Sequence, residues 1–312
     1  MNNEVREDAI VDWITRTFNI VKSDAVAVNT GSGNVIINVD AFDSEIHWPP
    51  FLDAYSAGQK AYFSSTSDVI VKGGKPVAAL VSLRVPRTFS AECVKKFVLG
   101  LGTAASSLGA LYLGGDTDVT EGGPFRAEIV SIGVPTGKTL SRGGVKPGDL
   151  LAITGHVGVS GIVYGVLYGE LESRLLVDAL RDWVKPQWPR LDAWFELTPL
   201  VNASIDNSDG LALSLHYLAE SSKVRLELSE IPLYDRIIEI FGEDRAVEYA
   251  LYNSGEEHNF IFSLPDGHEW VAEKLGARVI GKAVEGQGVY LAGYGEVKRR
   301  GWVGGEGFRD RI

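Results

Sequence analysis

Cysteine is nearly absent: the 312 residues hold one, Cys93. That excludes a disulfide framework and a structural zinc site of the cysteine type. Histidine is also sparse, and none of the five falls in the H-E-x-x-H spacing of a zinc protease. Basic charge is in deficit: 30 Lys+Arg against 41 Asp+Glu leaves a net charge of −11. Such a surface is poorly suited to nucleic acid or an anionic membrane, where basic groups must displace counterions. No apolar run approaches the roughly 18 residues of a membrane span, and the opening MNNEVRED lacks the pattern of a signal peptide. The expectation is a cytoplasmic, acidic chain of two domains, at roughly 150 residues each.

Hydrophobic spacing outlines the elements that are present. Ile10, Trp13, Ile14 and Phe18 lie at helical intervals. The runs AVAVN and NVIINVD flank Gly31-Ser32-Gly33 and read as a hairpin. Helices are expected at 53–72 and 90–108, with strands in PVAALVSLRV, ALYLGG and AEIVSIGV. The glycine-rich, basic segment 138–149 (KTLSRGGVKPGD) reads as the junction, giving domains 1–140 and 141–312. The second half follows with LLAITG, a glycine turn, a helix from about 162, and a segment with Trp183, Trp188 and Trp194 that reads as packed loop and helix start. Helices at 209–221, 233–252 and 269–275 then alternate with VRLELSE, NFIFSL and RVIGKAV before a glycine-rich tail. The whole is α+β.

Several motif-like strings do not carry function in context. GVPTGKT (133–139) has Ile132 where a phosphate loop needs glycine, and it leads into LSRGGVKPG, which cannot open a helix. GLGTAA (100–105) lies inside a helical stretch rather than between strand and helix. Ser160 in GVSG lacks the second half of a nucleophile elbow.

The acidic residues divide by location. Most lie on solvated helix faces, but Asp24, Asp40, Asp68, Asp116, Asp206 and Asp209 stand at the ends of apolar strands or in tight turns. Gathered over one sheet end they repel one another unless divalent cations neutralise them, and hard oxygen ligands without cysteine favour magnesium. Read singly, DNSDG is also compatible with a helix cap and GGDT with an ordinary turn.

In order along the chain, KSDAVAV, NVDAFDSEIHW, SSTSDVIVKGGKP, LYLGGDT, LSRGGVKPGDLLAITG, SIDNSDG, SGEEHNF and a late GW resemble the thiamine-monophosphate kinase family of the aminoimidazole ribonucleotide synthetase-like superfamily. The resemblance implies ATP-dependent phosphorylation of thiamine monophosphate to the diphosphate by in-line transfer, assisted by several Mg2+ ions, in a homodimer. It implies an N-terminal sheet domain forming a dimeric barrel core and a C-terminal α/β sandwich, with the site between them. By the same resemblance the six aspartates hold metal. Gly115, Asp116, Arg142 and Ser208 contact ATP, and His47, Glu256, Glu257 and Trp302 contact the substrate. No general base is expected, because the acceptor phosphate is already ionised. The sequence departs from the family pattern at Lys22-Ser23-Asp24, around Lys72-Gly73-Gly74, at Val98-Leu99 and at Ser254-Gly255. A non-catalytic nucleotide-binding relative, or an enzyme of the superfamily with another phosphorylated acceptor, stays open at this point.

Overall fold

The computed structural model describes residues 7–20, 23, 25–303, 307 and 308. The described residues form two large open sheets and a two-stranded ribbon. The first contains β1 (Val26–Asn29), β2 (Asn34–Asp43), β3 (Gly74–Pro86), β4 (Leu111–Tyr112), β5 (Thr117–Thr120) and β6 (Arg126–Pro135). Its order is β1-β2-β6-β3-β4, with β5 also paired to β3. The expected hairpin is β1–β2, in register from Val26 opposite Ile37 to Asn29 opposite Asn34. Helix α1 (Glu7–Phe18) precedes it.

The expected barrel does not form. The two ends of the sheet path, β1 and β4, are not hydrogen-bonded to each other, so the sheet stays open. Closure needs hydrogen bonds between the edge strands, and here those edges stay apart while helices cover one face. Helices α2 (Ala54–Val71) and α3 (Ala91–Ser107) pack on it and close the core around Ala79, Val81, Phe97, Phe125 and Ile129. The opposite face is left bare, with Val39, Leu80 and Val134 exposed.

The second sheet contains β7 (Leu150–Thr154), β8 (Ala203–Asp206), β9 (Arg225–Leu228), β10 (Phe260–Leu264), β11 (Ala277–Val284), β12 (Gly288–Leu291) and β13 (Gly295–Glu296). Its order is β13-β12-β9-β11-β7-β10-β8, likewise open. All seven strands pair antiparallel except β9 with β12. The helices of this half are α4 (Val159–Leu167), α5 (Leu176–Val184), α6 (Leu191–Leu197), α7 (Leu211–Ser222), α8 (Asp235–Phe241), α9 (Glu243–Tyr252) and α10 (Glu269–Lys274). A short pair, β14 (Trp302–Val303) with β15 (Gly307–Phe308), follows. The stretch 233–252 is two helices because Gly242 (φ 75°) breaks it, and the glycine-rich tail contributes β12 and β13.

Helix α2 joins the two halves. Asp53 caps its start by accepting from the amides of Tyr55 and Ser56. Almost every side of it is buried, as a polar-looking sequence such as SSTS tolerates when its hydroxyls find partners. Trp194 Nε1 donates to the Ile70 carbonyl at 2.7 Å and Ser204 Oγ to that of Val71 at 2.7 Å, tying α2 to the second half. Trp183 and Trp194 are fully packed, in α5 and α6.

Candidate active site

Two periodicities build the floor of a cleft. Along β2 the alternation of a strand turns Asn38, Asp40 and Phe42 toward α2; along α2 the helical repeat puts Ala61, Ser64 and Asp68 on one stripe. These meet in a cleft of about 490 Å³, lined also by His47, Tyr164, Ser208, Asp209, Glu256, His258 and Trp302. Asn38 Nδ2 bridges strand and helix, donating to the Ser65 carbonyl at 3.1 Å and to Asp68 Oδ2 at 2.9 Å. Ser208 and Asp209 arrive in the turn between β8 and α7. Trp302 is laid over that turn by its own N–H, which donates to the Asp209 carbonyl at 2.8 Å.

The site is strongly anionic, and its carboxyls show it. Burial pushes Asp68 well above the ordinary carboxylate range, and Asp206 and Asp40 raise it further. Burial also raises Asp40, with Glu256 adding to the effect. Asp206 lies behind the cleft wall, 2% exposed. Burial alone would raise it, but hydrogen bonds with His258 and Ser67 bring it below its usual value.

Two buried lysines answer part of this charge. Lys60, 1% exposed, sits 3.2 Å from Glu256 Oε2, donates to the Glu256 carbonyl at 2.9 Å, and stacks its ammonium 3.9 Å above the Trp183 ring. Burial would raise Glu256, yet Lys60 and then His47 outweigh it and hold the carboxyl down at about 2. Lys72 closes the C-terminal end of α2, equally buried. Burial lowers its ammonium to about 8 against the opposing pull of Asp68 and Asp206.

Of the residues singled out from sequence, the cleft gathers Asp40, Asp68, Ser208, Asp209, His47, Glu256 and Trp302. Asp206 stands immediately behind. Arg142 is within the field of Asp206 and Asp209, its guanidinium 4.8 Å from the Tyr217 ring. Gly115 and Asp116 lie apart from the cleft, in the exposed turn from β4 to β5. A Cβ on Gly115 would stand 2.0 Å from the Val81 carbonyl oxygen, so close backbone approach alone requires glycine there. Glu257 also turns away. It caps α4, accepting from the amides of Gly158 (3.0 Å) and Ser160 (2.8 Å), and burial raises it to about 8 despite those bonds. Asp24 lies outside the described residues.

Sequence reasoning missed Lys60, Lys72, Asn38 and His258. The signals were a lysine in each of two otherwise apolar stretches (QKAYF and VIVKG) and a histidine directly after two glutamates.

The strings set aside are structural. GVPTGKT runs from the end of β6 into an irregular loop. Ser160 Oγ donates to the Gly255 carbonyl at 2.5 Å. Within GLGTAA, Gly100 lets α3 approach α2.

Comparison with known proteins agrees with this architecture. The model of the AIR synthase related protein N-terminal domain matches residues 22–134. A thiamine-monophosphate kinase of Pyrococcus horikoshii is 28% identical over 317 residues, covering 97% of this chain and 96% of its own. That of Aquifex aeolicus is 28% identical over 315 residues, covering 96% and 98%. Among solved structures, AaThiL complexed with AMPPCP and TMP superposes with a TM-score of 0.84 at 26% identity, covering 97% of this chain and 98% of its own. The hydrogenase maturation protein HypE of Escherichia coli, at 22% identity and a TM-score of 0.65, shares the fold.

Proposed function

We propose that this chain, which belongs to the AIR synthase-related superfamily and resembles its thiamine-monophosphate kinases, transfers the γ-phosphoryl group of ATP to the phosphate of thiamine monophosphate. The observation that carries the reading is the convergence of Asp40, Asp68 and Asp209 with His47, Glu256 and Trp302 in one cleft. A second support is the near-complete length over which the chain matches relatives of that name, one of them solved with AMPPCP and TMP.

The donor set suits hard divalent cations. Burial raises both Asp40 and Asp68, with Glu256 adding to the first and Asp206 and Asp40 to the second, as in carboxylates short of positive charge. Among the described residues no three His, Cys, Asp or Glu side chains are already drawn around one point. Magnesium is commonly held by only one or two carboxylates, with waters and substrate phosphates completing the shell. Bound there, it would neutralise the two phosphates and so lower the electrostatic barrier to their approach.

The chain's own groups do the rest by position. The acceptor is an ionised phosphate, so no side chain need remove a proton to create the nucleophile. His47 Nδ1 accepts from the Asp43 amide at 2.9 Å, so its Nε2 carries a proton and is a donor for a phosphate oxygen or hydroxyl. Glu256, kept ionised by Lys60, is an acceptor for the amino group of a pyrimidine. The Trp302 ring offers its face to a thiazolium cation, an attraction of about 0.5–2 kcal/mol. Ser208 and Arg142 lie on the side we assign to ATP. Nucleotide contacts by Gly115 and Asp116, and metal contacts by Asp24 and Asp206, rest on the resemblance alone. We divide the chain functionally at residues 140/141.

We further read the bare face of the first sheet as the contact with a second copy. In register, Val39 lies beside Val130 and Val130 beside Leu80, a continuous apolar strip across three strands. The direct test of the kinase reading is incubation with ATP, Mg2+ and thiamine monophosphate: thiamine diphosphate accumulates if it is right. Absence of product at every Mg2+ concentration contradicts it.

A further inference from the structure

His258 is a titratable cleft residue that the reading above leaves unused. Its backbone is left-handed (φ 54°), a conformation that costs a non-glycine residue and persists only where the surroundings enforce it. They do so here. The His258 N–H donates to the Asn207 carbonyl at 2.9 Å, and its carbonyl accepts from Trp188 Nε1 at 3.0 Å. The residue is 3% exposed, lines the cleft, and places Nδ1 3.0 Å from Asp206 Oδ2. That oxygen also accepts from Ser67 Oγ at 2.6 Å.

An ionised carboxylate can only accept, so Nδ1 of His258 carries the proton. The lone pair of the neutral ring is then on Nε2, which is buried and has no hydrogen-bond partner. A buried polar atom left unpaired in this way needs a physical reason, and a bound ion is one. His47 is the opposite case, because its Nδ1 accepts a backbone N–H and its proton is on Nε2, 4.0 Å from Glu256. The two histidines of the cleft therefore differ in kind: one is a donor and the other a lone pair.

His258 lines the same cleft as Asp40, Asp68, Asp209 and Glu256. An imidazole whose other N–H is held by a carboxylate is the usual arrangement of a histidine that binds metal, with the carboxylate fixing the tautomer and raising the basicity of the ligating nitrogen. A nitrogen donor among oxygens shifts preference away from magnesium toward first-row transition cations. We propose that His258 Nε2 ligates a divalent cation in the cleft, giving this chain one mixed nitrogen–oxygen position that takes Mn2+ or Co2+ in preference to Mg2+. The proposal rests on the reading that the cleft holds cations together with the nucleotide.

The test is pulsed electron paramagnetic resonance of Mn2+ bound to the full chain with AMPPCP, with Mn2+–AMPPCP alone as the blank. The expected spectrum shows nitrogen modulation from a coordinated imidazole in the wild type and in His47→Phe. That modulation is lost in His258→Phe and in His258→Gln, the latter keeping a polar side chain at the buried position. Mn2+ affinity by calorimetry falls about 10-fold in these variants, with Mg2+ affinity changed by less than about 3-fold. Mn2+ that binds the wild type without nitrogen modulation overturns the role of His258 and leaves the cation reading standing. Modulation that persists in the His258 variants overturns it too. If neither Mn2+ nor Mg2+ binds at millimolar concentration, the cation reading itself fails, and this proposal with it.

Discussion

Glu256 is held between Lys60 and His47, and its ionisation is part of what stabilises the native cleft. Its folded value of about 2 lies below the ordinary 4.5. The stabilisation is therefore complete above pH ~4.5 and is lost as pH falls through about 2, on the order of 3 kcal/mol in all. Glu256→Gln should flatten the melting temperature over that window relative to wild type; parallel curves would contradict the pairing. Asp68→Asn and Asp209→Asn should each lower turnover by orders of magnitude with an unchanged circular dichroism spectrum, whereas near-normal rates in both would remove the carboxylates from the reaction. Trp302→Ala should raise the KM for the substrate more than it lowers kcat, and an unchanged KM would return the ring to packing the tail. Asp209 was legible because a tight turn is an unusual place for a carboxylate, whereas Asp40 lies within β2 and Asp68 within α2 rather than at the strand ends the sequence suggested. Asp116 stands in an exposed turn apart from the cleft and Glu257 caps α4, and spacing in the sequence does not separate them from the residues that line the cleft. Lys60 and Lys72 were not legible because a lone lysine in an apolar helix ordinarily reads as solvent-facing.

At the scale of elements, the cleft depends on how closely α2 and α3 approach. A Cβ on Gly58 would stand 1.9 Å from the Phe97 carbonyl oxygen, and one on Gly100 1.9 Å from that of Tyr55. Gly58→Ala or Gly100→Ala should therefore destabilise by about 3 kcal/mol, since backbone must move apart. Gly102→Ala is the control: its Cβ would meet only Tyr112 Cδ1, at 3.9 Å, and alanine should be neutral or add up to about 1 kcal/mol through helix propensity. Equal effects in a urea titration would show that the helix contact is not what these glycines serve. Long helices and apolar strands were readable from periodicity. The split at Gly242 was hidden because the hydrophobic pattern continues across it. Strands β12 and β13 were hidden because glycine carries no side-chain alternation to read.

For the molecule as a whole, the deficit of basic charge is unevenly used. Part of the acidic surplus is solvated, and part is concentrated between the two sheets, where α2 joins them. The barrel implied by family resemblance does not form within one chain, because closure is a matter of hydrogen bonding between strand edges, which the pattern of side chains does not encode. What the pattern leaves instead is an apolar strip on the open face. Sedimentation should give the mass of two chains, and Val39→Lys with Leu80→Lys the mass of one; a wild-type monomer would contradict the contact. The most direct test of the central claim is a quantitative assay of thiamine diphosphate formed from ATP and thiamine monophosphate against Mg2+ concentration, with Asp68→Asn beside the wild type. The account predicts Mg2+-dependent product from the wild type and almost none from the variant. Product from neither, with ATP still bound, would contradict it.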